Sequence, residues 1–214
     1  MKGPICHALA LATLALTPAC RSVGLTEAGF LSTYDALQAD EDQRARESFV
    51  RSEAWPQTRQ VFVEPLSLNL QASSLDRLNE KQETLLRGHF LQYVRESLGA
   101  EFELIAQPED GAILVRAAVT EVDTTQHYLN WLTALLLWPL DTGGATLEVE
   151  LLDASSGQQL AAMVNADKAT VYNAIQSMTR IGHACQAVQE TGHWVGQTIA
   201  AGQGVVPVPL DAAP

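Results

Sequence analysis

The chain has 214 residues, is 47% apolar and 18% charged, and carries a formal charge of −12 from 25 acidic and 13 basic side chains. That length supports one domain with a real core, and that composition argues against long-range disorder, collagen and coiled coils. The acidity, with three lysines in all, argues against a nucleic-acid partner, whose phosphates recruit clustered Lys and Arg, and against a polybasic membrane patch.

Met1 and Lys2 open the chain, Ile5 to Leu16 is an apolar run, and Thr17-Pro18-Ala19-Cys20 closes it. A basic tip, a short apolar stretch and small residues at the cut make residues 1–19 a secretory leader, too short to span a bilayer as a helix. Cys20 stands where a bacterial lipoprotein signal has its acylated cysteine. The stretch resembles a lipobox: Ala19 fits, Leu16 is one place early, and Thr17 and Pro18 depart from the pattern. Lipid attachment at Cys20, with palmitate among its acyl chains, is therefore expected, and plain secretion to the periplasm is the alternative. Arg21, rather than Asp, implies the outer membrane by resemblance to enterobacterial sorting rules. Cys6 would leave with the leader and Cys20 would be acylated, so Cys185 has no disulfide partner. Loss of Lys2 takes the net charge from −12 to −13.

Residues 20–58 read as the lipidated cysteine, a tether and an extended arm laid over the domain, with Asp40-Glu41-Asp42 and the aromatics Phe30, Tyr34, Phe49 and Trp55. The domain spans residues 59–203. Alternation at Val61–Glu64 predicts a strand ending at Pro65. Leu75, Leu78, Leu85, Leu86, Phe90, Val94 and Leu98 predict a helix over Ser74–Leu98, capped by Ser73 with Asp76 and stopped at Gly99. Phe102–Ile105 and Ile113–Val122 predict strands. Ala145, Leu147, Val149 and Leu151 alternate with Thr146, Glu148 and Glu150, which predicts one buried and one wet face. Asp153–Gly157 is turn chemistry, with Gln159–Val164 as the returning strand. Ile181, Cys185, Val188, Val195 and Ile199 share a face of a last helix, stopped by Gly202 and Gly204, and residues 204–214 read as a flexible tail. The order β-α-β-β-β-β-α predicts an α+β fold: a mostly antiparallel sheet with two main helices packed on one face.

The stretch His127–Leu140 interrupts this scheme. It is too short to cross a bilayer as a helix, and reads either as a segment folded onto the core or as an exposed apolar patch that meets a membrane or a partner. Trp131 and Trp138 lie seven apart and would share a helix face, with Leu135 on the same side. These three form the candidate interaction surface.

Catalytic signals are weak. Asp141-Thr142-Gly143 matches the aspartic-protease triplet, but it occurs once, and such enzymes need two carboxylates sharing a proton; the segment also reads as a turn. His183 and His193 are about 80° out of alignment on a helix, and no paired-Cys or His-Glu-x-x-His spacing occurs, so no metal or other cofactor is expected. Cys185 reads as a core residue. Glu148 and Glu150 have the two-residue spacing of a paired-carboxylate site, but alternating Glu on a wet strand face is the commoner arrangement.

Several stretches in order resemble the domain of unknown function 3313 family of bacterial lipoproteins. GFLSTYDALQ (Gly29 to Gln38) is similar to its opening and QVFVEPLSL (Gln60 to Leu68) to its first strand. AILVRAAVTEVD (Ala112 to Asp123) is similar to its central strand, and GGATLEVELLDASSGQQLAA (Gly143 to Ala162) to its strand and hairpin. The resemblance covers nearly all of residues 26–200 and implies a lipid-anchored envelope protein with no assigned reaction. The expectation is a non-catalytic outer-membrane lipoprotein. Its periplasmic domain would serve as accessory or scaffold in an envelope assembly, meeting the membrane through Cys20 and, beyond it, a protein partner or a second copy of itself. The alternatives are a periplasmic carrier of an apolar ligand and a hydrolase with no recognisable motif.

Overall fold

The computed structural model describes residues 27–40, 46–52, 55–68, 79–123, 144–168 and 182–207. In chain order the elements are β1 (Gln38–Ala39), β2 (Arg46–Val50), β3 (Gln60–Val63), β4 (Ser67–Leu68), α1 (Glu80–Leu98), β5 (Glu103–Leu104), β6 (Ile113–Asp123), β7 (Gly144–Asp153), β8 (Gln159–Lys168) and α2 (Gly182–Gly202). One sheet runs β1-β2-β8-β7-β6-β3-β5, with β4 also paired to β6. The β1/β2, β2/β8, β8/β7 and β7/β6 pairs are antiparallel. β3 and β4 lie parallel to β6, and β5 lies parallel to β3. The class is α+β, with both helices on one face of a mostly antiparallel sheet.

The two-residue period of the strands sorts the side chains. Ile113, Val115, Ala117 and Val119 of β6, and Ala145, Leu147, Val149 and Leu151 of β7, face the helices and are buried with Leu86, Phe90, Val94 and Leu98 of α1 and Val188, Val195 and Ile199 of α2. Pro65 cannot donate to a ladder, and it stands between β3 and β4, both of which pair with β6. Asp153 shapes the hairpin turn: its carboxylate accepts the Ser155 N–H at 2.8 Å, which holds it below the usual carboxylate range. Gly157 takes the left-handed φ of 69° that closes the turn.

The structure corrects three expectations. The helix does not run unbroken from Ser74, because Asn79 adopts extended backbone and caps α1 in a box with Gln82. Asn79 starts the helix because its side chain and that of Gln82 reciprocally satisfy two free amides. Leu75 and Leu78 lie outside the described residues, and Leu85 points outward at 38% exposed. The first strand is not at Val61: β1 and β2 precede it, and β2 extends the sheet beyond β8. The second face of β7 is not wet. Thr146, Glu148, Glu150 and Leu152 are all buried, because residues 27–37 lie across that face as a third layer.

The two helices run in the same direction and cross closely. A side chain at Gly192 would meet Tyr93 Cβ at 2.7 Å, and one at Gly196 would meet the Ser97 carbonyl carbon at 2.8 Å. Gly192 and Gly196 stand one turn apart on α2, so the approach requires their missing side chains.

Candidate functional site

Glu148 and Glu150 project from adjacent same-face positions of β7, the central strand, and both are 0% exposed. Two buried carboxylates need strong partners, since an uncompensated charge in the interior is costly. The N-terminal arm supplies most of them. Glu148 Oε1 accepts the Ala28 N–H at 2.7 Å. Its Oε2 accepts the Phe30 N–H at 3.3 Å and the Tyr34 hydroxyl at 2.5 Å. Glu150 accepts the Ser32 N–H at 2.9 Å and the Ser32 hydroxyl at 3.2 Å. Amides two residues apart in an extended chain lie about 7 Å apart. Gly29, at a φ of 77°, kinks the arm so that two of them converge on one carboxylate.

Tyr34 is the hinge of this arrangement. Its oxygen accepts the Phe30 and Leu31 N–H groups at 2.9 and 3.2 Å while its proton goes to Glu148. Burial, with the Glu148 hydrogen bond behind it, pushes the phenol pKa above 10. Beneath the arm, Leu31 is buried with Ala162 and Val164, and Phe30, Tyr34 and Leu37 pack around them.

Glu150 also has a cation. Arg116, its direct cross-strand neighbour on β6, donates to Glu150 at 2.8 Å and sits 3.5 Å from Glu64. The Arg116 guanidinium stands 5.2 Å from the Phe30 ring centroid, so the same side chain ties the carboxylate to the arm. Gln159 completes the shell by donating to Glu150 at 3.0 Å and to the Thr33 carbonyl at 3.3 Å. With the arm in place, both carboxylates are spent on the chain's own donors. The arrangement fastens an extended segment to a sheet face and leaves neither acid open to a substrate.

A second polar pair lies between the helices, where Ser97 Oγ and His193 Nδ1 are 2.7 Å apart. Burial lowers the His193 pKa below 6.5, against the opposing pull of Glu96. Cys185 is half-buried against the core and free, and burial pushes its thiol up. At the far sheet edge, Phe62, Val63, Pro65, Leu91, Leu104 and Ile105, with Arg95 at the rim, line an open groove of about 420 Å³. Among the described residues, no three metal-ligating side chains converge and no helix is long and apolar enough to cross a membrane.

Cys20, Trp131, Leu135, Trp138 and Asp141 lie outside the described residues. Sequence reasoning weighed the Glu pair and set it aside as solvated. The signal that would have recovered it is Arg116, whose place in Ile113–Val122 puts an isolated cation on the same face as the two acids.

A family model described as "Protein of unknown function (DUF3313)" matches residues 26–193. No curated protein matches the chain. Among solved structures, the chain is similar to a PelC dodecamer from Paraburkholderia phytofirmans at a TM-score of 0.42 and 12% identity, over 71% of this chain and 96% of that one. A variant of that dodecamer gives 0.38 and 11%, over 67% and 95%. Protein XCC0632 from Xanthomonas campestris, which carries a DUF330 family model, gives 0.39 and 16%, over 73% and 97%.

Proposed function

Since the chain belongs to the DUF3313 family of proteins of unknown function, we propose that it is a non-catalytic, lipid-anchored envelope protein. Its α+β domain would stand at the periplasmic face of the outer membrane as an accessory or scaffold. The observation that carries this reading is the closed shell of Glu148 and Glu150. These are the paired acids best placed for acid–base work, and the arm that follows the proposed anchor at Cys20 occupies their oxygens. A segment so placed joins the domain to its anchor more naturally than it admits a substrate. Trp131, Leu135 and Trp138 are the proposed partner-binding residues. Their segment leaves β6 at Asp123 and re-enters β7 at Gly144, and those two residues are paired neighbours, so the insertion starts and ends at one point on the end of the sheet.

The anchor is tested by metabolic labelling with radioactive palmitate and membrane fractionation. The wild type is expected to incorporate label and sediment with the outer membrane, and Cys20→Ala to lose both; label in the Ala variant refutes the anchor. In-cell photocrosslinking from Leu136 tests the scaffold role, with a discrete protein adduct as the expected result. The second reading, a carrier of an apolar ligand, is favoured by the groove beside β3, β5 and α1. Native mass spectrometry showing a co-purified lipid, lost on Leu91→Arg, would put it first.

A further inference from the structure

We infer that the arm is a releasable strap that sets how far the domain can stand from the membrane, an inference that rests on the lipid-anchor reading. Cys20 and Ala28 are eight residues apart. With Ala28 held on Glu148, the tether spans at most about 28 Å. Were the arm to lift, the next held point is β1, whose Gln38 and Ala39 pair with β2. From Cys20 to Gln38 is 18 residues, or at most about 63 Å of chain. Latched, the domain is confined against the bilayer; released, it can cross a much deeper layer while remaining anchored.

The way the arm is held suits release. Its apolar contacts form a small cluster around Leu31, Ala162 and Val164, separate from the core shared by the helices and the opposite sheet face. Lifting it therefore opens no part of that core. Among the described residues, Glu148 is held by the arm's own amides and phenol and touches no basic side chain. When the arm departs, those groups and the carboxylate all regain water, so the opened state carries no stranded buried charge. Segments held in this way open locally well before the fold does.

The test places the full-length acylated protein in phosphatidylethanolamine–phosphatidylglycerol vesicles containing an acceptor-labelled lipid. A donor fluorophore is introduced as an unnatural side chain at the exposed Gln107. Wild type is compared with the pair Tyr34→Phe and Glu148→Gln, and separately with Leu31→Ser, which touches only the small arm cluster and serves if the first variant fails to fold. Circular dichroism checks the core. The expected result is a transfer efficiency at least two-fold lower in the variants than in wild type, at unchanged secondary structure. Equal transfer from folded, vesicle-bound wild type and variants overturns the strap and leaves the anchor standing. Protein that carries Cys20 but does not stay on the vesicles overturns the anchor reading, and the strap with it.

Discussion

Glu148→Gln is the substitution that most directly weighs the arm. The change keeps the side chain's volume, removes the charge, and turns one accepting oxygen into a donor facing the Ala28 N–H, the Phe30 N–H or the Tyr34 hydroxyl. A hydrogen bond to a charged group contributes about 1.5–3 kcal/mol. At least one is lost and another becomes a neutral bond, while the desolvation cost of the carboxylate is relieved. The net loss is about 1.5–3 kcal/mol. The arm's apolar contacts are confined to the small cluster around Leu31, so a loss of that size should raise the population of the opened arm about 10- to 100-fold. Amide hydrogen exchange measures this. The Ala28, Phe30 and Ser32 amides of the soluble Cys20→Ser protein should lose about 10- to 100-fold protection in Glu148→Gln, and those of β6 and β7 should keep theirs. Equal loss of protection in β6 and β7 would mean that the arm and core open as one unit, and unchanged arm protection would mean that Glu148 does not hold the arm. Either result refutes the reasoning.

Gly196→Ala should destabilise the domain by about 1–3 kcal/mol in urea denaturation, because its Cβ meets the α1 backbone at Ser97. Gly88→Ala, on the same helix pair but with open space around it, should stabilise by about 0.5–1 kcal/mol; the same sign for both would refute the close crossing. Arg116→Met strands the fully buried Glu150 without its cation and should cost about 2–4 kcal/mol, largely recovered by adding Glu150→Gln; a second change that adds further destabilisation counts against the pairing. His193 has a pKa lowered by burial, so the folded protein binds this proton less tightly than the unfolded chain. Stability should be full above pH 6.5 and decline as pH falls from that value toward the folded pKa. The urea midpoint should therefore drop between pH 7.5 and pH 5, and His193→Gln should flatten that slope; an unchanged slope would assign it to other groups.

The helix-facing half of the domain was legible in the sequence because each of its elements carries its own period. Ile113, Val115, Ala117 and Val119, or Phe90, Val94 and Leu98, reveal a buried face without reference to anything distant. The start of α1 was misread for a related reason: Leu75 and Leu78 continue the heptad spacing past a break that only the Asn79–Gln82 cap discloses. β1 and β2 were missed because Gln38-Ala39 and Arg46–Val50 are polar and short. β2 takes its strand character from the waiting edge of β8, and β1 from β2, not from propensity.

The candidate site was misread for a deeper reason. Glu148 and Glu150 alternate with Leu147, Val149 and Leu151 as any solvated strand face would, and local pattern cannot distinguish water from a segment 118 residues away, the separation of Ser32 and Glu150. Sequence did contain both halves of the contact: Gly29 to Gln38 and Gly143 to Ala162 were separate stretches of one family resemblance, and the structure brings them together. The choice of Glu over Leu on the covered face is itself informative. An apolar face would hold the arm by area alone and would be sticky when bare. Carboxylates hold it through bonds that water can replace, so the face stays soluble whether covered or not. A permanent clasp gains nothing from that property, whereas a strap that lifts depends on it.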